Sequence, residues 1–342
     1  MRSFWLPMLA ACALGTGVGA RADGVEDFYR GRSMTLIVSS GVGGGYDTYG
    51  RMLARHITRH IPGQPHIVVQ NMPGAGSITA LNYLFNVAPK DGSVISDADS
   101  TMPLYALLGG QNAKFDPLRI RWIGSTAQQI SLCVAWAGGA FKTLEDATQR
   151  PMKVSATGIA TLRGIVPRLF NEVAGTRFEV VTGYSTSEVF LAVERGEVDG
   201  TCFTYDTLLA AKYDWVQEKR VTILAQFGEH PAPGIESVPL ARDRIKDPAD
   251  RAAFDLILSA ELTGRPYLAP PEIPPERLAA LRRAFDETMT DPAFLADCRK
   301  ARLFVDPASG AEIEALIARA YASPPATVAR AKLLLQHAMG NP

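Results

Sequence analysis

A short apolar run, a glycine-rich turn and a helical pattern follow one another repeatedly along this chain. The interval is roughly 30 residues, and that alternation restricts the chain to parallel α/β units. Residues 35–38 are β-branched and aliphatic, read as a buried strand, and run into Gly41-Val42-Gly43-Gly44-Gly45. Leu53, Ile57 and Ile61 then fall one helical turn apart, with Asp47 or Thr48 placed to cap the start and Pro62-Gly63 to end the helix. Residues 67–69 form a second strand, followed by Pro73-Gly74-Ala75-Gly76-Ser77 and a helical run over 80–85. Pro89-Lys90-Asp91-Gly92 turns the chain into a third strand at 94–96.

The series restarts further along. Residues 153–155, 178–182 and 200–203 read as strands, separated by helical patterns at 165–173 and 189–195. Two such series predict two α/β lobes, each with a mostly parallel sheet flanked by helices. The strand-like segments at 121–124 and 132–134, with 221–226 and 267–271 later, carry the chain between lobes and back. The expected division places residues 23–124 and 225–342 in lobe 1 and 125–224 in lobe 2. The C-terminal part is helical: Pro275 suits a first helical turn, and Ser309 with Glu312 makes a capping box ahead of Ile313 and Leu316.

The N-terminus addresses the compartment. Arg2 precedes an uncharged, mostly apolar stretch from Phe4 to Val18, and the small-x-small pattern ending at Ala22 predicts a cleaved secretory signal over residues 1–22. A membrane anchor needs a longer apolar run, of about 20 residues. The stretch ahead of Cys12 is short for lipidation of that cysteine. A periplasmic location follows. With 35 basic and 35 acidic residues and no charge run, nucleic acid is not an expected partner. The mature cysteines Cys133, Cys202 and Cys298 permit at most one disulfide, and buried free thiols are the expectation.

Motifs for chemistry fail one by one. The glycines from Gly41 do not fit the dinucleotide fingerprint, since Tyr46 or Thr48 falls where its last glycine belongs. His56 and His60 share a helix face, but Ile57 stands where a zinc protease has glutamate, so a solvated face is expected and no metal. Gly183-Tyr184-Ser185-Thr186-Ser187 lacks the closing glycine of a hydrolase elbow. No catalytic residue and no cofactor is indicated. What remains is four loops, at 39–47, 73–77, 155–161 and 183–187, each after a strand and before a helix. Open parallel sheets bind ligands at that edge, where loop amides and helix N-termini favour an anion.

These residues resemble a known family. Leu36-Ile37-Val38, Gly43-Gly44-Gly45-Tyr46-Asp47, Val68-Val69-Gln70-Asn71-Met72-Pro73-Gly74-Ala75-Gly76 and Ala88-Pro89-Lys90-Asp91-Gly92 are similar to the Bug family, the TctC-like substrate-binding components of tripartite tricarboxylate transporters. Phe115-Asp116-Pro117-Leu118, Gly196-Glu197-Val198-Asp199 and Leu268-Ala269-Pro270 continue the likeness over nearly the whole mature chain. The resemblance implies a type II periplasmic-binding-protein fold whose lobes close on a small organic carboxylate, and membrane permease subunits as partners. A monomer is expected. The implied contacts are Ser40, Gly41, Val42, Gly43, Gly44, Ser77, Ser100 and Thr101 in the first lobe, and Thr157, Gly158, Thr161, Tyr184 and Ser185 in the second.

Departures fall at the ligand. Ser39-Ser40-Gly41-Val42 stands where the family commonly has Pro-Phe-Pro-Pro, and Phe203-Thr204-Tyr205-Asp206 lies near its Phe-Asp-Asn. Leu162-Arg163-Gly164 replaces two serines and a histidine. Arg163 at a helix N-terminus faces an unfavourable dipole, and a direct ionic contact with the ligand carboxylate is the expected compensation. Two other roles are open to such a chain: a ligand sensor that signals to a membrane kinase, and a secreted hydrolase, which would need a nucleophile and base in reach.

Overall fold

A computed structural model describes residues 20–159, 161–184, 186–228 and 230–340. Residues 1–19, with most of the expected signal and Cys12, lie outside the described residues, as does Ser185. No described helix is long and apolar enough to cross a membrane.

The strands in chain order are β1 (Ser33–Val38), β2 (His66–Asn71), β3 (Val94–Asp97), β4 (Arg121–Ser125), β5 (Ser131–Trp136), β6 (Met152–Ser155), β7 (Phe178–Val181), β8 (Gly200–Thr204), β9 (Val221–Phe227), β10 (Pro266–Ala269) and β11 (Ala308–Ser309). They form two sheets, ordered β11-β4-β10-β3-β1-β2 and β7-β6-β8-β5-β9. Both are mixed. In the first, β2, β1 and β3 run parallel while β10, β4 and β11 pair antiparallel. In the second, β7, β6 and β8 are parallel, and β5 pairs antiparallel with β8 and β9. The parallel part therefore stops at three strands in each sheet. The two passages between sheets run from β4 to β5 and from β9 to β10, and in each sheet the strand added next to the parallel set, β10 or β5, runs against it, while β4 and β9 beyond them return to its direction.

Away from the edge strand β2, whose His66, Val68 and Gln70 are exposed, each sheet is covered on both faces, which explains why its inner strands read as continuous apolar runs. On β1, Leu36 and Val38 pack with the helices Gly45–Ile57 and Pro275–Thr290, while Ile37 points into the opposite core with Ile78, Leu81 and Trp122. On β5, Leu132 and Val134 pack with Phe190, Phe203 and Trp215, and Cys133 and Ala135 face Leu169 and Phe254. Residues 225–342 are shared between the sheets. The helices Pro248–Ser259 and Pro325–Met339 lie in the second sheet's core, and the helices Pro275–Thr290 and Gly310–Tyr321 contribute to cores on the first.

Three expectations are revised by this packing. Cys133 and Cys202 are directly opposed on β5 and β8, with Cα atoms 4.0 Å apart, and form a disulfide; among the described residues, only Cys298 is the buried free thiol expected. His56 is buried rather than solvated, and its Nε2 lies 2.9 Å from Asp297. His60 meets Asp291 at 2.8 Å, so the pair holds the helix Gly45–Ile57 against its neighbours. The expected caps Asp47 and Thr48 sit inside the first helical turn, and Gly44 is the N-cap. The Ser309–Glu312 capping box forms as expected.

Candidate functional site

On the first sheet the loops after β1, β2 and β3 are tied together at one edge. The Ser39 amide and hydroxyl both donate to Asp97 Oδ1, at 2.7 and 2.6 Å. Ser77 Oγ donates to Ser39 Oγ at 2.8 Å and accepts from the Asp99 amide at 3.0 Å. Burial pushes the Asp97 carboxyl up to about 6, although the two Ser39 bonds and the Arg265 charge pull it down. Its other oxygen, Oδ2, has no partner, nor does the buried hydroxyl of Ser40.

The glycine loop is pulled back toward its own helix. Asp47 accepts from the Gly43 amide at 2.9 Å and from Asn71 at 2.9 Å, and Asn71 also donates to the Ser40 carbonyl at 3.0 Å. The hydrogen bond from Arg51 is the main reason Asp47 is held down at about 2. Gly45 has a packing role: a Cβ there would lie 2.9 Å from Nη1 of Arg265. The guanidinium thus rests on the glycine backbone, with Cζ 5.1 Å from the Tyr46 ring centroid and 4.5 Å from that of Tyr49.

Arg265 joins the two sheets. It stands just before β10, is only 7% exposed, and its Nη2 lies 2.5 Å from Asp206 Oδ2. Asp206 sits in the first turn of the helix Tyr205–Ala211, directly after β8 of the second sheet, and is 4% exposed. Burial lowers the arginine's proton affinity, but Asp206, Tyr46 and Tyr49 together more than reverse that, so Arg265 stays charged. The other Asp206 oxygen, Oδ1, has no hydrogen-bond partner.

Arg163 is the second residue of the helix Leu162–Ala174, as its sequence position predicts. Its guanidinium lies 6.0 Å from the Phe190 ring centroid, and its buried Nε has no partner. Burial lowers its pKa, and the Asp206 charge opposes that shift. Among the described residues no carboxylate pairs with it. Beside it, Thr161 Oγ1 donates to the Gly158 carbonyl at 2.7 Å, and Thr157 Oγ1 lies 3.4 Å from Thr161 Oγ1.

Of the residues singled out in the sequence, Ser40 to Gly44 and Ser77 share the first edge, and Thr157, Gly158, Thr161 and Arg163 share the second. Val42, at the tip of its loop, is 78% exposed. Several amides are already engaged. The Ser100 amide donates to Tyr46 Oη at 3.0 Å, that of Thr101 to Asp99 at 3.0 Å, and that of Ser77 to the Gly74 carbonyl at 3.1 Å. Tyr184 packs half-buried against the core around Phe190. Arg265, Asp206, Tyr46 and Tyr49 were not singled out as site residues. Asp206 was visible as a departure from the family pattern, whereas Arg265 is a lone charge before an apolar run.

The two passages between sheets run side by side beneath this cluster. The Arg265 amide donates to the Ala127 carbonyl and to Ser125 Oγ, each at 3.0 Å, and the Gln129 amide to the Glu261 carbonyl at 3.0 Å. Glu261 accepts from the Ser131 amide and hydroxyl at 2.7 and 2.8 Å, and full burial pushes its carboxyl up to about 8. Among the described residues, no group of three or more His, Cys, Asp or Glu is placed to hold a metal ion.

No known family's sequence profile matches the chain, and no curated protein does. Solved structures do. A TctC solute-binding protein from Polaromonas is similar over 90% of this chain and 99% of its own, at 19% identity and a TM-score of 0.68. MatC from Rhodopseudomonas palustris with bound malate matches over 89% and 99% at 17% identity, with a TM-score of 0.61. An R. palustris protein with adipate matches over 91% and 98% at 16% identity, also with a TM-score of 0.61. The chain has the two-lobed fold of these TctC- and Bug-type solute-binding proteins.

Proposed function

We propose that the protein is a periplasmic solute-binding protein that captures a small organic carboxylate between its lobes and delivers it to the permease subunits of a tripartite tricarboxylate-type transporter, acting as a monomer and without catalysis. The observation that carries this reading is Arg163. It is a partly buried cation at a helix N-terminus with an unpartnered Nε, beside loops of the type that hold anions. The fold shared with proteins that hold malate and adipate supports the same class of ligand. Ser40, Gly41, Val42, Gly43, Gly44 and Ser77 are proposed as first-lobe contacts. Ser100, Thr101, Thr157, Gly158, Thr161, Arg163, Tyr184 and Ser185 complete the proposed site.

A thermal-shift screen of the mature protein over mono-, di- and tricarboxylates tests this. A bound ligand at about 100 times its Kd adds about 2.7 kcal/mol, so a true ligand raises the melting temperature by several degrees. Arg163→Ala should abolish that rise while leaving the melting temperature of the free protein nearly unchanged. A screen in which no carboxylate stabilises the protein overturns the proposal.

A further inference from the structure

We propose that the open edge of β2 docks an extended segment of a partner protein, alternately acidic and apolar, which adds to the first sheet as a seventh strand. The groove involved shares no residue with the proposed ligand contacts, so the inference does not rest on carboxylate capture.

β2 is last in its sheet, and its six residues pair with β1 in unbroken register. The amides of His66 and Met72 donate to the Arg32 and Val38 carbonyls, at 3.1 and 2.8 Å. Backbone groups alternate in direction along a strand, so those of Ile67 and Val69 point away from the sheet. Such an edge templates the pairing of another chain, and proteins blunt it by shortness, charge, proline, bulges or cover. The other three edges are blunted. β11 has two residues, and β7 has four and carries the exposed Glu179. On β9 the Gln226 amide donates to the Pro239 carbonyl at 3.0 Å, so a later segment covers part of that edge. β2 has no lysine, proline or bulge between His66 and Asn71.

A groove of about 560 Å³ runs along this edge, and its two sides differ in chemistry. Ile67 and Val69 lie half-buried on the face covered by the helix Gly45–Ile57, whose exposed Arg51 and Arg55 line the groove. Val68, on the opposite face, is 46% exposed. An added strand therefore meets arginines with one set of alternate side chains and Val68 with the other. Acidic residues suit the first set and apolar ones the second. Arg51 already pairs with Asp47 at 2.9 Å, but Arg55 makes no ion pair among the described residues, and no carboxylate lines the groove. A second copy of this chain, paired edge to edge about a two-fold axis, would bring the same arginines together. Charge complementarity therefore favours a different, acidic partner.

Fluorescence anisotropy of the full mature protein with a labelled peptide of alternating glutamate and valine tests this. One control peptide has lysine in place of glutamate, and a second keeps the sequence but is N-methylated throughout, so that its backbone cannot donate. The acidic peptide should bind at least about ten-fold tighter than either control, and Arg55→Glu should weaken it by a similar factor. Val69→Pro removes an outward amide that makes no bond to β1, and it should abolish binding. Should that variant fail to fold, the methylated peptide on the unaltered protein still reads the backbone requirement. Equal binding of the acidic and lysine peptides, undiminished binding of the methylated one, an unchanged affinity in Arg55→Glu, or no binding of the acidic peptide overturns the inference. Sedimentation that shows a dimer of the unaltered protein, dissolved by Val69→Pro, assigns the edge to a second copy and overturns it as well.

Discussion

Glu261 makes stability depend on pH in a direction opposite to most carboxylates. It is 2% exposed at the meeting of the two passages, and it accepts from the Ser131 amide and hydroxyl. Among the described residues it has no cationic partner. Burial raises its carboxyl from 4.5 to about 8, so the folded protein holds a proton that the unfolded chain releases. Its contribution is therefore intact below about pH 4.5 and is lost as pH climbs through about 8. Asp97, at about 6, complicates the lower part of that window. Between about pH 6.5 and pH 8 Glu261 acts nearly alone, and at 1.36 kcal/mol per unit the loss is about 2 kcal/mol. Glu261→Gln keeps a carbonyl acceptor for the Ser131 amide and removes the titration. Urea unfolding of both proteins across this window should show the glutamine variant gaining about 2 kcal/mol relative to the parent as pH rises. A difference that stays constant with pH, or one that moves the other way, refutes the argument.

Replacing both Cys133 and Cys202 by alanine opens a loop spanning 69 residues, and should lower unfolding free energy by about 4 kcal/mol, read by urea denaturation under non-reducing conditions. Gly264→Ala places a Cβ 1.8 Å from the Ala127 carbonyl oxygen at a φ of +58°, where the passages touch; a loss on the order of 2–4 kcal/mol in melting experiments is expected. Ser309→Ala removes the capping box of the helix Gly310–Tyr321 and should cost about 1 kcal/mol in the same assay, with ligand binding unaffected.

The fold was legible because its signals are local. The run at Leu36, Ile37 and Val38 is apolar throughout because both faces of β1 are covered, and the glycines after it mark a strand end whatever the rest of the chain does. The mixed character of the sheets was not legible, since strand direction depends on where the passages re-enter. The disulfide depends on the register of β5 against β8, which no spacing of cysteines reveals. His56 was misjudged for a similar reason: its helix face is polar in sequence, yet Asp297 and Phe294 cover it from a helix far along the chain. At the site, Arg163 and the glycine loops announced themselves by position. Arg265 and Asp206, 59 residues apart, become a pair only when the second passage lays β10 beside the first sheet.

That late pairing bears on the proposed capture of an anion. A cradle of neutral peptide dipoles requires free N–H groups, but those of Gly43, Ser77, Ser100, Thr101 and Thr161 already donate within the protein. Fewer amides are left than the loops alone suggest, and the task shifts to charged side chains. Of the two arginines at the site, Arg265 is committed to Asp206 and to stacking on Tyr46 and Tyr49, so it links residues of the two sheets. Removing one member of a buried ion pair typically costs about 3–5 kcal/mol, because the other charge is left buried without its partner. Arg163 has no such commitment. The geometry therefore separates the two arginines: Arg265 is paired across the two sheets, and Arg163 is the one left for the proposed ligand contact.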